Sequence, residues 1–266
     1  MGTARKEARV AAISCTHVPH QSERAVERLL DQLTRASEDK PLTHFVHLGD
    51  LMDAQAASVH ADDPAQHTLL DEFHCAADLL KRIRSVLPSD CKLVFTHGNH
   101  DDNIIKPGDS RRVPLELREL CNWNNVAEVS DEFRLWKQIP YRHGKMGCYQ
   151  LGPIIFAHGW QASGNSDEME GIRLAMACGG WAHRLIVRGH THRPLQPTQC
   201  RRSATTALPW HVANGGHCAF EERAPYTYRF DISRWGRGML LADCAVGRPD
   251  RIGANAWDAE VISLDD

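Results

Sequence analysis

Short apolar runs alternate along the chain with longer stretches of helical spacing. Residues 9–13 form a β-rich apolar run. From Ser22 onward, Val26, Leu29, Leu30 and Leu33 stand at i, i+3, i+4 and i+7. That is one stripe of a helix over 22–36, with Ser22 as its N-cap. Residues 44–48 read as a second strand. Asp63-Pro64 resembles a helix entry, with proline near the first turn. Leu69, Leu70, Phe73, Ala77, Leu80, Ile83 and Leu87 follow at helical spacing until Pro88-Ser89-Asp90 breaks the pattern. Residues 91–95 are a third strand. This alternation predicts βαβ crossovers and a largely parallel first sheet.

The pattern loosens over 103–145, where 106–112 reads as a loop and 114–120 as a short helix. Residues 149–157 read as one strand, 168–178 as a helix ended by Gly179-Gly180, and 185–187 as a buried strand. Beyond them strands and turns dominate, with strands expected at 210–213, 226–230, 239–242 and 260–264. A chain of 266 residues can hold one large α/β domain or two small ones. No repeat, low-complexity tract or linker divides it, so residues 1–266 are expected to form a single domain with a mixed sheet in the C-terminal half.

Four patches rich in metal-ligating side chains each follow an apolar run: Cys15-Thr16-His17, Gly49-Asp50-Leu51-Met52-Asp53, Gly98-Asn99-His100-Asp101 and Gly189-His190-Thr191-His192. A fifth piece, His158-Gly159, closes the run at 154–157. Asp, Asn and His together suit a borderline divalent ion such as Mn, Fe or Zn. Glycine before Asp50, Asn99 and His190 lets the backbone turn sharply as it leaves a strand. Ligands gather at the carboxyl ends of strands in open α/β sheets. The patches therefore predict a two-metal hydrolytic site on loops at the strand ends of one α/β sheet. Two metals need a bridging carboxylate, for which Asp50 is placed best. A hydroxide between two cations is a strong nucleophile at neutral pH.

Composition sharpens this picture at a few points. Sixteen histidines are many for the length and agree with metal chemistry. The formal net charge of −3 means that any contact with a polyanion must come from local basic patches. No apolar run approaches the roughly 20 residues that span a bilayer, and the polar start, Met1 to Glu7, does not read as a secretory signal. The nine cysteines are scattered without a C-x-x-C pair, which suits a reducing cytosol. A cytoplasmic protein without membrane association is expected; nothing in the sequence sets the oligomeric state.

Taken in order, the patches resemble the calcineurin-like metallophosphoesterase superfamily, especially its small bacterial and bacteriophage members. Its pattern is D-x-H, G-D-x-x-D, G-N-H-D/E, a lone H, then G-H-x-H. The resemblance implies a four-layer α/β/β/α sandwich with mixed sheets. It also implies that His17, Asp50 and His192, with residue 15, bind the first metal, and that Asp50, Asn99, His158 and His190 bind the second. His100 would be the catalytic histidine, protonating the leaving group, Asp101 would orient it, and Asp53 would support the ligands from behind. One position departs: Cys15 stands where the family has Asp. A thiolate binds Zn or Fe well and Mn or Mg poorly, so Cys15 as a ligand would favour Zn or Fe at the first site. The other reading is a buried apolar residue that leaves the first metal weakly held.

Other residues have plainer readings. His44, His47, His97, His143 and His183 read as structural. His211 and His217 flank the turn Asn214-Gly215-Gly216 and could face the active site, but they have no place in the series. Arg111, Arg112 and Arg193 are candidates for substrate phosphates, although loop arginines are usually just solvated. Trp160 could stack on a base or sugar or fill the core. The function expected is hydrolysis of phosphodiester or phosphomonoester bonds, with a nucleotide or nucleic acid as substrate. A nuclease and a non-catalytic metal-binding interaction scaffold stand as alternatives.

Overall fold

In strand β1 (Lys6–Ile13) both faces are buried. Val10 and Ala12 point to one side, Ala11 and Ile13 to the other. The same split runs through β2 (His44–His47) and β3 (Lys92–Thr96). Phe45, Leu93 and Phe95 join Ala11 and Ile13, whereas Val46 and Val94 join Val10 and Ala12. Strands buried on both faces read as continuous apolar runs, which is why the sequence showed them clearly. The computed structural model describes residues 6–58, 67–105, 129–141, 147–159, 166–177, 185–201, 207–220, 232–247 and 256–265.

Strands β1, β2, β3 and β4 (Lys137–Ile139) are parallel neighbours, with Val10 opposite His44 and His44 opposite Lys92. Two C-terminal strands, β10 (Gly238–Val246) and β11 (Trp257–Ser263), extend the other edge antiparallel, giving the order β11-β10-β1-β2-β3-β4. Two helices cover the outer face. In α1 (Glu23–Asp39) Ser22 accepts the Ala25 N–H as N-cap, and Val26, Leu29 and Leu33 are buried. In α2 (Leu69–Ser85) Thr68 and Asp71 form a reciprocal capping box, and Phe73, Leu80 and Ile83 are buried. The helix thus starts at this box. Leu70, expected in the apolar stripe, is exposed on the first turn.

The second sheet has the order β5-β6-β7-β9-β8. The single strand expected at 149–157 is a hairpin, β5 (Tyr149–Leu151) and β6 (Ile154–Ala157), because Gly152 turns the chain at φ 54°. Parallel to β6 run β7 (Leu185–Arg188) and β9 (Ala207–Asn214). The unanticipated β8 (Leu195–Arg201) pairs antiparallel at the edge. It carries Pro197 at an irregular register, which an edge strand tolerates. Ile154, Phe156, Leu185, Val187 and Ala213 pack against Val10, Ala12 and Val46 of the first sheet. On the far face Ile186 and Val212 pack against Leu174 and Ala175 of α5 (Asp167–Ala177). The layers are therefore α/β/β/α. Two short helices, α3 (Asn99–Ile105) and α4 (Glu132–Leu135), and a 3-10 turn, Gln55–Ala57, complete the described elements. No described helix is long and apolar enough to cross a membrane. The sequence readings at 63–64, 106–112, 114–120 and 226–230 fall outside the described residues.

Candidate metal centre

Every patch leaves the carboxyl end of a strand. Cys15 and His17 follow β1, Asp50 follows β2, Asn99 and His100 follow β3, His158 follows β6, and His190 and His192 follow β7. The first three strands belong to one sheet and the last two to the other. The expectation of a site on one sheet is corrected: it sits over the seam where two sheets pack face to face.

The loops hold unusual backbone. Cys15, His17, Asp50, His190 and His192 all have left-handed φ, between 46° and 66°. For non-glycine residues this costs of order 1 kcal/mol or more each and persists only where neighbours fix it. Here the Cys15 N–H donates to the Gly49 carbonyl (2.9 Å) and the His17 N–H to the Asp50 carbonyl (3.0 Å). Gly98 has to be glycine, because a Cβ there would fall on the Asp50 carboxylate.

Asp50 is central. Its Oδ2 lies 3.1 Å from His158 Nε2 and 3.7 Å from His17 Nε2, and its Oδ1 accepts the His100 backbone N–H at 2.9 Å. His158 Nδ1–H donates to the Leu48 carbonyl (2.8 Å), which leaves Nε2 as a lone pair. That lone pair faces Asp50 Oδ2 and Asn99 Oδ1, the latter at 3.0 Å. Three acceptors turned toward one another need a cation or a proton between them. His17 repeats the motif. Its Nδ1–H donates to Asp53 Oδ1 (3.1 Å), and its buried Nε2 has no hydrogen-bond partner. A carboxylate behind an imidazole, with the far nitrogen free, is how metal-ligating histidines are oriented.

Ligating atoms converge in three groups, each within 4.8 Å: Cys15, His17 and His192; Cys15, Asp50 and His158; His17, Asp50 and His100. His190 joins none of these groups. Its ring meets that of His158 edge-on at 5.2 Å, and its backbone N–H donates to Cys15 Sγ at 3.3 Å. Protonation suits a cation. Burial, helped by His158, holds His190 down to about 3. Burial and the nearby His217 and His17 hold His192 well below the usual histidine range. Burial opposes ionisation of Asp50, but His158, His100 and His17 together keep it well below the usual carboxylate range. Burial and Asp50 push the Cys15 thiol up, so a cation binding there displaces its proton. The donor set fits divalent metal.

His100 stands at the mouth, its side chain 24% exposed. Burial works against its charged form, but Asp50 and Asp53 outweigh it and raise its pKa to about 9. The ring is held by Nδ1–H donating to the Asp53 carbonyl at 2.7 Å. The resemblance gave this orienting task to Asp101, and the contacts are different. The Asp101 carboxylate accepts backbone N–H groups from Asp50, Leu51, Met52 and Gly98, at 2.7 to 3.3 Å. It fixes the Asp50 loop, because a carboxylate buried at the start of α3 meets N–H groups before it meets a ring.

Three residues behind the site have no role assigned from the sequence, although His217 reads there as one that could face it. Glu72 of α2 accepts the Ala54 N–H and so holds the loop that carries Asp53. Burial pushes it up to about 8. Asn214, fully buried, donates to the Gly189 carbonyl and Thr191 Oγ1 and accepts the Gly216 N–H, tying the His190–His192 loop to the end of β9. His217 stacks on His192 with ring centres 4.9 Å apart. The one sequence signal for the last two was the Asn214-Gly215-Gly216 turn at a strand end. Arg193 lies next to His192 and its Nε is buried without a partner. Trp160, Arg111 and Arg112 lie outside the described residues.

Comparison with known proteins gives the family. The sequence model of calcineurin-like phosphoesterases matches residues 8–194. The chain belongs to that family. All seven residues proposed as ligands, and His100, fall inside the match, whereas Asn214 and His217 lie beyond it. Solved structures similar to this family member include a predicted phosphoesterase of Streptococcus pneumoniae. That likeness has 11% identity and a TM-score of 0.40 over 98% of this chain and 92% of that one. A zinc complex of Vps29 from Entamoeba histolytica gives 12% identity and a TM-score of 0.41, over 97% of this chain and 99% of that one. Nuclease MPE from Pseudomonas putida gives 16% and 0.35, over 87% and 84%. No curated protein matches the chain.

Proposed function

We propose that this chain, as a single domain, is a two-metal phosphoesterase acting on phosphodiesters or phosphomonoesters, with nucleotides or nucleic-acid ends as the substrate class. The observation that carries the reading is the set of lone pairs around Asp50: His158 Nε2, Asn99 Oδ1 and the unpartnered His17 Nε2. His17, His192, Cys15 and Asp50 would hold one divalent ion, and Asp50, Asn99, His158 and His190 the other. Two ions held there would polarise the phosphoryl oxygens and lower the pKa of an attacking water. His100, charged and at the mouth, donates a proton to the leaving oxygen. Asp53 orients both His17 and His100, and Asp101 holds Asp50 in place. The cytosol suits this site, because the Cys15 thiol stays reduced there.

The test is metal content together with turnover. Protein reconstituted with Mn, Fe or Zn and desalted should retain more than one ion per chain and hydrolyse nitrophenyl phosphate esters. Asp50→Asn should lose both ions. His17→Ala should mainly lose the first and His158→Ala the second. Retention of one ion at most, or the same single loss in all three variants, would sink the two-metal reading. Two bound ions with no turnover would favour the interaction scaffold, and turnover of DNA or RNA alone would favour a nuclease.

Arg193 gives a narrower prediction. With no carboxylate on its guanidinium among the described residues, it is free to meet a substrate phosphate. Arg193→Ala should raise KM about tenfold with kcat nearly unchanged, as loss of uniform binding does. An unchanged KM would remove Arg193 from the substrate site.

A further inference from the structure

Where the family has an aspartate, this chain has a sulfur that reaches both halves of the site. Cys15 Sγ forms one tight group with His17 and His192 and another with Asp50 and His158. These are the ligands on either side of the centre. We propose that the Cys15 thiolate bridges the two metal positions alongside Asp50; this rests on the two-metal reading above.

The position of the sulfur is fixed from all sides. Cys15 is fully buried and left-handed at φ 54°. Its N–H donates to the Gly49 carbonyl at 2.9 Å, and its own carbonyl accepts the Cys218 N–H at 3.2 Å. These bonds fix the backbone that carries the sulfur. The His190 N–H donates to Sγ at 3.3 Å, which stabilises negative charge on the sulfur and leaves other lone pairs for metal. Gly189 packs against Ser14, the residue before Cys15, so closely that a Cβ there would clash with its side chain. The unpartnered Nε2 of His17, buried in the same group, points to a cation from a second residue.

Size supports the bridge. Paired metals sit about 3.5–4 Å apart, and a zinc–thiolate bond is about 2.3 Å. One sulfur can therefore touch both ions. Binding releases the thiol proton to solvent, and no other bond changes. A bridging thiolate would make both positions prefer soft ions, whereas a terminal one would affect the first alone.

The experiment is cadmium-113 resonance on full-length protein loaded with cadmium, with the metal counted by elemental analysis. A bridge puts both cadmium resonances far downfield, in the thiolate range, and both move back in Cys15→Ser. Two cadmium ions with only one downfield resonance would overturn the bridge and leave the two-metal reading standing. A single bound ion would overturn both. Because the wild-type spectrum decides by itself, a Cys15→Ser variant that fails to fold does not spoil the test. Cobalt titration gives a second readout. The sulfur-to-cobalt band should keep growing through the second equivalent, and saturation at the first would contradict the bridge.

Discussion

Replacing His100 by alanine is expected to lower turnover by ~10²–10⁴, the range of a general acid, and to leave both metals bound. Two features of the structure separate these effects. The His100 contact to Asp50 is made by the backbone N–H, which alanine keeps, so the central carboxylate stays placed. The ring is held by the Asp53 carbonyl through Nδ1, which turns Nε2 away from that anchor. Its raised pKa, about 9, keeps it charged at neutral pH in the metal-free protein. A charged imidazole is a donor and cannot ligate metal through the nitrogen that carries the proton. The loss should therefore depend on the leaving group, large for an alkyl ester and small for a nitrophenyl ester. His100 also lies in a group with His17 and Asp50 close enough to hold an ion. If His100→Ala loses metal as readily as His158→Ala, the acid role is wrong and His100 is a ligand.

Much of this candidate site was legible because its candidate ligands sit where apolar runs end. Strands β1, β2, β3 and β7 are buried on both faces, so each appears as a short unbroken run, and the residues after it are loop residues at a strand end. Glycines at 49, 98 and 189 marked the turns. What the spacing could not give was the partition of strands between sheets. The break between β4 and β5 carries no signal in hydropathy, so a site shared by two sheets looked like a site on one.

Residues that act through others were also hidden. Glu72 is one acidic residue in a helix rich in charge, and only its burial against Ala54 sets it apart. Asn214 looks like a turn residue until its three hydrogen bonds are seen. The resemblance paired Asp101 with His100, whereas its contacts are backbone N–H groups. At the start of a helix the side chain of residue 101 points back toward Gly98 and the Asp50 loop, while His100 turns toward Asp53. The left-handed backbone at Cys15, His17, Asp50, His190 and His192 has no sequence signature in such residues.

The metal-free protein should also be unusually sensitive to acid. His47, His97 and His217 are buried and neutral, and burial holds them at about 3, about 4 and about 3. The hydrogen bonds agree: His47 accepts the Gly49 N–H on Nδ1, and His217 accepts the Ala219 N–H on Nδ1, so neither nitrogen is free for a proton. For a histidine whose folded pKa is lowered, stability is fully present above its unfolded pKa of about 6.5. It is lost as pH falls from there toward the folded value, because the unfolded chain takes up the proton first. Each such group costs about 1.4 kcal/mol per pH unit in that window. Glu72 acts the other way. Its pKa is raised to about 8, so its contribution is lost as pH rises from about 4.5 to about 8 and regained on acidification. Asp101, raised to about 7 by burial and Asp50, acts in the same direction as Glu72. Three groups against two leave a net loss of about 1.4 kcal/mol per unit below pH ~6.5. His190 and His192 add to the loss while no metal is bound. Against a typical total of about 5–15 kcal/mol, this loss takes a substantial share of the stability between pH ~6.5 and pH 5. Urea midpoints in chelator should fall steeply from pH 7 to pH 5, and bound zinc should flatten the fall by holding the ligand histidines neutral. Equal midpoints at pH 7 and pH 5 in chelator would show that these histidines are charged in the fold, contrary to their burial and bonding.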